Sequence, residues 1–273
     1  IDNFAKVIEK ENPDIILVVG DREEAISAAI VGNYMKKIVL HIGGGDQAYG
    51  NSDDPIRFSI SKLANIHCCT SLSSYNNLIK IGEERFRVFN TGNPYFSNIA
   101  KEKKITKSKL MSLLNIDNKH YNFIVFIKHP LSSELNQIQN QLKITFESVE
   151  KFCLEHNFAM ICISPNSDPG STEIVKYINK YKNKKWLYSV GSLPRNLFVN
   201  LMIHSKLLIG NSSMGILEAP YYKLPVINIG NRQKGRHNAG NVKFVDYKSN
   251  EILAALKDSI FNKKYLQNIR KIK

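Results

Sequence analysis

Several features that commit a chain to a large function class are absent or scarce here. Among the 273 residues there are only four cysteines, Cys68, Cys69, Cys153 and Cys162. They form no Cys-x-x-Cys pair, and no histidine stands at zinc-site spacing from them, so the sequence predicts neither a disulfide framework nor a structural metal, and a reduced, cytoplasmic setting. No apolar run approaches the ~20 residues of a membrane-spanning helix. Neither a Gly-Lys-Ser/Thr ending nor a Gly-x-Gly-x-x-Gly run occurs, which removes the main support for kinase, GTPase and dinucleotide-oxidoreductase readings. The opening Ile1-Asp2-Asn3-Phe4 has no initiator Met and no basic-then-apolar signal pattern.

Arginine is also scarce. Of 38 basic side chains, the only arginines are Arg22, Arg57, Arg85, Arg87, Arg195, Arg232, Arg236 and Arg270. The formal charge of +14 calls for an anionic partner, a soluble surface, or both. Readers of nucleic acid combine basic stretches with arginine forks and stacking aromatics. Here lysines such as Lys101, Lys103, Lys104, Lys107 and Lys109 are scattered over polar segments, which favours a solvated surface or a small phosphorylated ligand over nucleic acid.

What is present is a repeated alternation of short apolar runs and amphipathic segments. Strands are predicted at 15–19, 38–42, 66–70 and 87–90, with helices at 23–35, from 53 onward and at 73–81. Residues 101–118 are Lys- and Ser-rich and read as a helical linker. A second series has strands at 121–128, 158–164, 186–190, 206–209 and 225–229, with helices at 135–156, 171–182, 194–204 and 214–221. Continuous apolar strands between amphipathic helices imply parallel sheets covered on both faces. The predicted organisation is a partial first domain at 1–100, the linker at 101–118, a second domain at 119–255, and a C-terminal helix or tail at 256–273.

In an open parallel sheet, ligands bind beyond the carboxyl ends of the strands. The residues there are Gly20-Asp21-Arg22, His41 with Gly43-Gly44-Gly45-Asp46, His129-Pro130, Pro165-Asn166 and Gly210-Asn211-Ser212-Ser213. Asp21 alone fits a helix cap as well as a site, and Gly43 to Gly45 fit a flexible turn. Five polar segments at one rim are better explained by a site. Gly210-Asn211-Ser212-Ser213-Met214-Gly215 has the logic of an anion seat, with close backbone approach and hydroxyl donors. Glu218, within two turns of the start of the following helix, suits a ribose diol or a solvated face. Arg232, Lys234 and Arg236 follow a strand and suit a diphosphate, because the guanidinium fork pairs with phosphate oxygens; a solvated loop is the alternative. Asp53-Asp54 before Pro55 are either a helix cap or part of an acid–base site.

These segments resemble the hydrolysing UDP-N-acetylglucosamine 2-epimerases of sialic-acid and capsule biosynthesis. The matching stretches are Pro13-Asp14 through Gly20-Asp21-Arg22, His41-Ile42 through Gly44-Gly45-Asp46, Asp53-Asp54-Pro55-Ile56-Arg57 with Ser61-Lys62-Leu63, and His129-Pro130. They continue with Pro165-Asn166-Ser167-Asp168-Pro169-Gly170-Ser171, Gly210 to Gly215, and Pro225-Val226-Ile227-Asn228 running to Arg232-Gln233-Lys234-Gly235-Arg236. Each is weak alone, and their preserved order over nearly all of 13–245 is specific. The resemblance implies an α/β, GT-B-like fold of two Rossmann-type, doubly wound domains facing a cleft, usually as a homo-oligomer. It also implies that the family's first strand and its loop lie before Ile1, leaving roughly half of a typical first domain outside this chain.

By the same resemblance, the reaction removes UDP from UDP-N-acetylglucosamine with inversion at C2. It passes through a glycal and gives N-acetylmannosamine without a cofactor or metal. Carried over residue by residue, the acid–base set is Asp21, Asp46, Asp53 and Asp54, with His129 protonating or orienting the leaving phosphate. Arg22, His41, Asn166, Ser212, Ser213, Glu218, Arg232 and Arg236 fall to nucleotide-sugar binding. Two departures sit on the sugar side: Gly43 where relatives commonly carry Glu or His, and Asp46 in place of a longer Glu. They make a 2,4-diacetamido-6-deoxy nucleotide sugar the competing substrate. A GT-B glycosyltransferase, the reading from another class, shares the nucleotide seat but has less need of acids on the first rim.

Overall fold

The computed structural model describes residues 1–47, 53–116, 122–234 and 238–272. The chain divides into two compact units, Ile1–Ala100 and Lys101–Lys273. The first unit runs α1 (Asp2–Glu11), β1 (Ile15–Val19), α2 (Glu23–Tyr34), β2 (Ile38–Ile42), α3 (Asp53–Leu63), β3 (Ile66–Cys69), α4 (Leu72–Lys80) and β4 (Val88–Asn90), and closes in α5 (Pro94–Lys101). Its four strands are parallel in the order β1-β2-β3-β4. Ser71 starts α4 by accepting the Ser74 N–H at 3.1 Å, the usual service of a serine at that position.

Strand order explains which face of this sheet is covered. Each right-handed crossover steps in the same direction, so successive helices fall on one face. That face buries Val18 and Val39 against Ala25, Ala28, Ala29, Ile60 and Ala64. On the other face Ile15, Leu17, Val19, Ile38 and Phe89 are exposed. The expectation of two covered faces is therefore met on one side only of this sheet.

The second unit contains α6 (Lys107–Leu113), β5 (Asn122–Ile127), α7 (Ile138–His156), β6 (Phe158–Ile163), α8 (Ser171–Asn179), β7 (Leu187–Val190), α9 (Arg195–His204) and β8 (Leu208–Gly210). After these come α10 (Met214–Leu217), β9 (Val226–Ile229), β10 (Val242–Val245), α11 (Ser249–Phe261) and α12 (Lys263–Arg270). The parallel order is β10-β9-β8-β5-β6-β7, so the winding reverses between β5 and β8 and helices cover both faces. Every residue of β6 is buried, as are residues 123–127 of β5. One face packs on Phe146, Tyr177 and Trp186, with Phe126 meeting Phe146 edge-on at 5.4 Å between ring centres. The other packs on Leu110, Met111, Leu201 and Met202.

Several segments differ from expectation. Residues 101–116, read as a linker, hold α6, whose Leu110 and Met111 belong to the second core. The tail is joined to the sheet: the Tyr265 hydroxyl donates to the Asn241 carbonyl at 2.7 Å, and Ile269 is buried. The edge strand β10 was not expected, because Val-Lys-Phe-Val is short and only partly buried. The helix predicted at 214–221 is a single turn. Among the described residues no helix is long and apolar enough to cross a membrane.

Candidate active site

In the first unit the carboxyl ends of β1 and β2 and the start of α3 converge on one buried side chain, Arg57. Its guanidinium forms an ion pair with Asp21 and a second with Asp54 Oδ1 at 3.1 Å, and donates to the Asp46 carbonyl at 2.8 Å. Helical spacing brings Asp54 to Arg57, three residues on along α3. The cap of α2 is Arg22, whose side chain does not cap the helix, and the Asp21 carboxylate turns to Arg57. The open choice for Asp21 thus resolves toward the acid cluster. Arg22 itself is exposed.

The Asp46 carboxylate is held differently. Thr70 Oγ1 donates to it at 3.0 and 3.2 Å, and Ser74 Oγ donates as well. The Gly43 to Gly45 segment is pinned: Gly43 N–H bonds to the Cys68 carbonyl at 3.1 Å and Asn77 donates to the Gly45 carbonyl at 2.9 Å. Two carboxylates thus pair with one guanidinium, and a third, that of Asp46, is held by hydroxyls while its main-chain carbonyl accepts from the same guanidinium. Such a group can hold, release and accept protons.

His41 requires a correction. Expected as a substrate contact, it is wholly buried, and burial pushes its ring down to about 4, so it is neutral at pH 7. That ring donates from Nε2 to the Gly20 carbonyl at 2.8 Å and accepts at Nδ1 from Ser61 at 3.2 Å. It braces the Gly20 turn beneath Asp21. The side chain of Asp53 lies outside the described residues, as does Arg236.

In the second unit the site lies where the winding reverses. Gly210 ends β8 with φ +138, and a Cβ there would stand 2.0 Å from the Ile127 carbonyl oxygen at the end of β5, so only glycine fits. Beside it the buried Asn211 closes the two strand ends together. Its amide donates to the His129 carbonyl at 2.9 Å and its oxygen accepts the His129 N–H at 2.7 Å. Arg232 and Gln233 in turn donate to the Asn211 carbonyl at 3.1 and 3.2 Å.

Burial, reinforced by Arg232, pushes the His129 imidazole down to about 4. The neutral ring accepts the Asn166 N–H at Nδ1 at 3.3 Å, which makes Nε2–H its donor. In this neutral state His129 is suited to orienting an anion by hydrogen bonding through Nε2–H. The Asn166 amide also donates to Asp168. Ser212 and Ser213 precede α10, which has only four residues, and Glu218 closes it, within two turns of the helix start as expected. Among the described residues no three His, Cys, Asp or Glu are grouped to hold a metal ion.

Arg57, Asn211 and Gln233 are central to these rims, yet their side chains were assigned no role from the sequence. Arg57 carried a signal, as a rare arginine three residues after an acid pair. Asn211 lay within the segment read as an anion seat and Gln233 between two cations, but an amide in a turn does not show which carbonyl or N–H it will hold.

A family model described as UDP-N-acetylglucosamine 2-epimerase matches residues 1–273. The chain is 34% identical over 263 residues to the UDP-N,N'-diacetylbacillosamine 2-epimerase (hydrolyzing) of Legionella pneumophila, covering 94% of this chain and 67% of the relative. It is 30% identical over 256 residues to the UDP-N-acetylglucosamine 2-epimerase of Neisseria meningitidis serogroup B, covering 94% of this chain and 66% of the relative. The chain spans about two thirds of the length of these curated relatives. A crystal structure of UDP-GlcNAc 2-epimerase from Neisseria meningitidis bound to UDP-GlcNAc superposes with a TM-score of 0.84 at 20% identity, covering all of this chain and 75% of that one. The fold is thus α/β and GT-B-like, with one parallel sheet in each unit.

Proposed function

The chain belongs to the UDP-N-acetylglucosamine 2-epimerase family, and from that premise we propose that its chemistry is the hydrolysing epimerisation of a nucleoside-diphosphate 2-acetamido sugar. The observation that carries the reading is the pairing of the Asp21 and Asp54 carboxylates with Arg57, which also holds the main-chain carbonyl of Asp46, whose own carboxylate is bound by Thr70 and Ser74. A carboxylate of this group takes the proton from C2 of the sugar. The C–H electron pair forms the C1=C2 bond while the C1–O bond breaks and UDP leaves. Water then adds its oxygen at C1 and gives up one proton to a carboxylate of the group, while the C1=C2 electron pair takes a proton from a carboxylic acid of the group on the opposite face of C2.

The departing diphosphate carries the developing charge, and fixed donors stabilise it better than reorganising water does. Arg232 and the neutral His129, through Nε2–H, are suited to that task, and Ser212 and Ser213 add hydroxyls. Deprotonation and release thus draw on groups of opposite electrostatic character. Of the two substrates weighed, the higher identity to the Legionella relative favours UDP-N,N'-diacetylbacillosamine, and the same chemistry serves UDP-N-acetylglucosamine.

The test is incubation with both nucleotide sugars in deuterated water, followed by NMR. The expected result is UDP release without any acceptor and deuterium at C2 of an inverted free sugar. Asp21→Asn should lower turnover by ~10²-fold or more, the range for positioned proton transfer. Sugar transfer that occurs only when an acceptor is added overturns the reading.

A further inference from the structure

Immediately before His129, at the end of an otherwise apolar strand, stands Lys128, a lysine with 4% of its surface exposed. A buried ammonium is costly unless its hydrogen bonds are met. Its Nζ donates to Gln141 Oε1 at 2.8 Å and to the Tyr247 hydroxyl at 2.5 Å, and lies 4.7 Å from the centre of the Tyr247 ring. Both partners lead on to the turn after β9. Gln141 donates to Glu134 Oε2 at 2.6 Å, and Glu134 Oε1 accepts from Asn231 at 3.3 Å. The Tyr247 ring packs on Gly230, where φ is +80 and a Cβ would meet the ring at 2.6 Å. Two routes from one ammonium thus reach Gly230 and Asn231, the two residues immediately before Arg232, which donates to Asn211.

We propose that Lys128 is a positioning residue of the anion seat: from inside the second unit it holds the turn carrying Arg232 against the His129 loop and adds a fixed positive charge beneath the bound diphosphate. The proposal rests on the reading that UDP binds at this rim. Its charge balance is specific. The groups facing Lys128 are Glu134 from the turn before α7, Arg232 from the turn after β9, Tyr247 after β10, the neutral Gln141 of α7 and its own neighbour His129. Burial pushes its ammonium down to about 8, against the pull of Glu134 and with the help of Arg232. Burial also holds the Tyr247 hydroxyl protonated, above its usual range. An anion arriving above this ammonium favours the charged form, so binding and protonation are linked.

The experiment is calorimetric titration of the chain with UDP between pH 7 and pH 9. The wild type should bind about tenfold more weakly at pH 9, as a lysine free to lose its proton must regain it on binding. Lys128→Met should bind at least tenfold more weakly at pH 7, with no further loss at pH 9. Tyr247→Phe, which keeps the ammonium but removes one of its anchors, should weaken binding at pH 7 and retain the pH dependence. If Lys128→Met does not fold, the wild-type pH series and Tyr247→Phe decide the matter. Affinity of Lys128→Met within twofold of wild type, or wild-type affinity that is flat with pH, overturns the proposal alone. A wild-type chain that binds no UDP at pH 7 overturns the site reading and this proposal with it.

Discussion

The two units solve the same architectural problem with different materials. In the second unit a sheet with helices on both faces is packed with large side chains, Phe126, Phe146, Phe152 and Trp186 among them. The first unit has a core of valines, alanines and Ile60 beneath one face of its sheet, and much of its remaining interior is ionic or polar. Arg57 is shared by Asp21 and Asp54, and the buried Glu83 receives Lys62 at 2.7 Å and Arg87 at 2.5 Å. On the other face β1 leaves Ile15, Leu17 and Val19 48%, 58% and 57% exposed. Apolar burial is insensitive to charge state, whereas a buried ion pair depends on both partners being present and ionised. The unit with the aspartate cluster is therefore the one whose integrity is most tightly bound to its charges.

Removing the hub of the first unit is the hardest blow to this contrast. Arg57→Met leaves Asp21 and Asp54 without their cation, and breaking a buried pair in this way costs ~3–5 kcal/mol. Turnover should fall by ~10²-fold or more, since the proton-transfer group loses its geometry. UDP affinity, resting on the second unit, should stay within twofold of wild type. Denaturant melts and calorimetry check both halves, and an Arg57→Met chain with normal stability removes Arg57 from its role.

Acid is the next largest perturbation, and it acts on both units. His41 and His129 are each held neutral at about 4, below the unfolded value of 6.5. The unfolded chain therefore binds more protons below pH 6.5, and the stability present above that pH is lost as it falls toward 4. At pH 5 the loss is about 2 kcal/mol for each histidine. Urea melts at pH 7 and pH 5 should show this, with a smaller loss in His41→Gln and in His129→Gln than in wild type. An unchanged pH dependence in both variants refutes the assignment of buried, neutral rings.

The smallest expected effect is local. Amides of the half-exposed edge strand β1 should exchange with deuterium at least ~10-fold faster than those of the central, fully buried stretch of β5, because edge strands open with less loss of packing. Equal protection in hydrogen-exchange mass spectrometry erases the difference between the two sheets.

Much of this was legible from the chain alone. Runs such as Ile15 to Val19 and Phe158 to Ile163 are apolar without alternation, which marks parallel strands, and turns follow them. The rim residues Asp21, Asp46, His129 and Gly210 were found because a parallel sheet delivers strand ends to one edge. The strand β10 escaped notice because an edge strand needs little apolar sequence. Lys128 also escaped, since a single lysine at a strand end looks solvated until its tertiary partners are known.

Local pattern along the chain carried most of the elements, the parallel character of the sheets and the family, because periodicity and ordered motifs are properties of neighbouring residues. Which charges meet was set by the folded chain. His41 became a brace and not a contact, Arg57 became the hub of three aspartates, and His129 became a neutral donor. Those outcomes depend on desolvation and on partners as much as 119 residues apart, as for Lys128 and Tyr247, and neither quantity is written in any local stretch of chain.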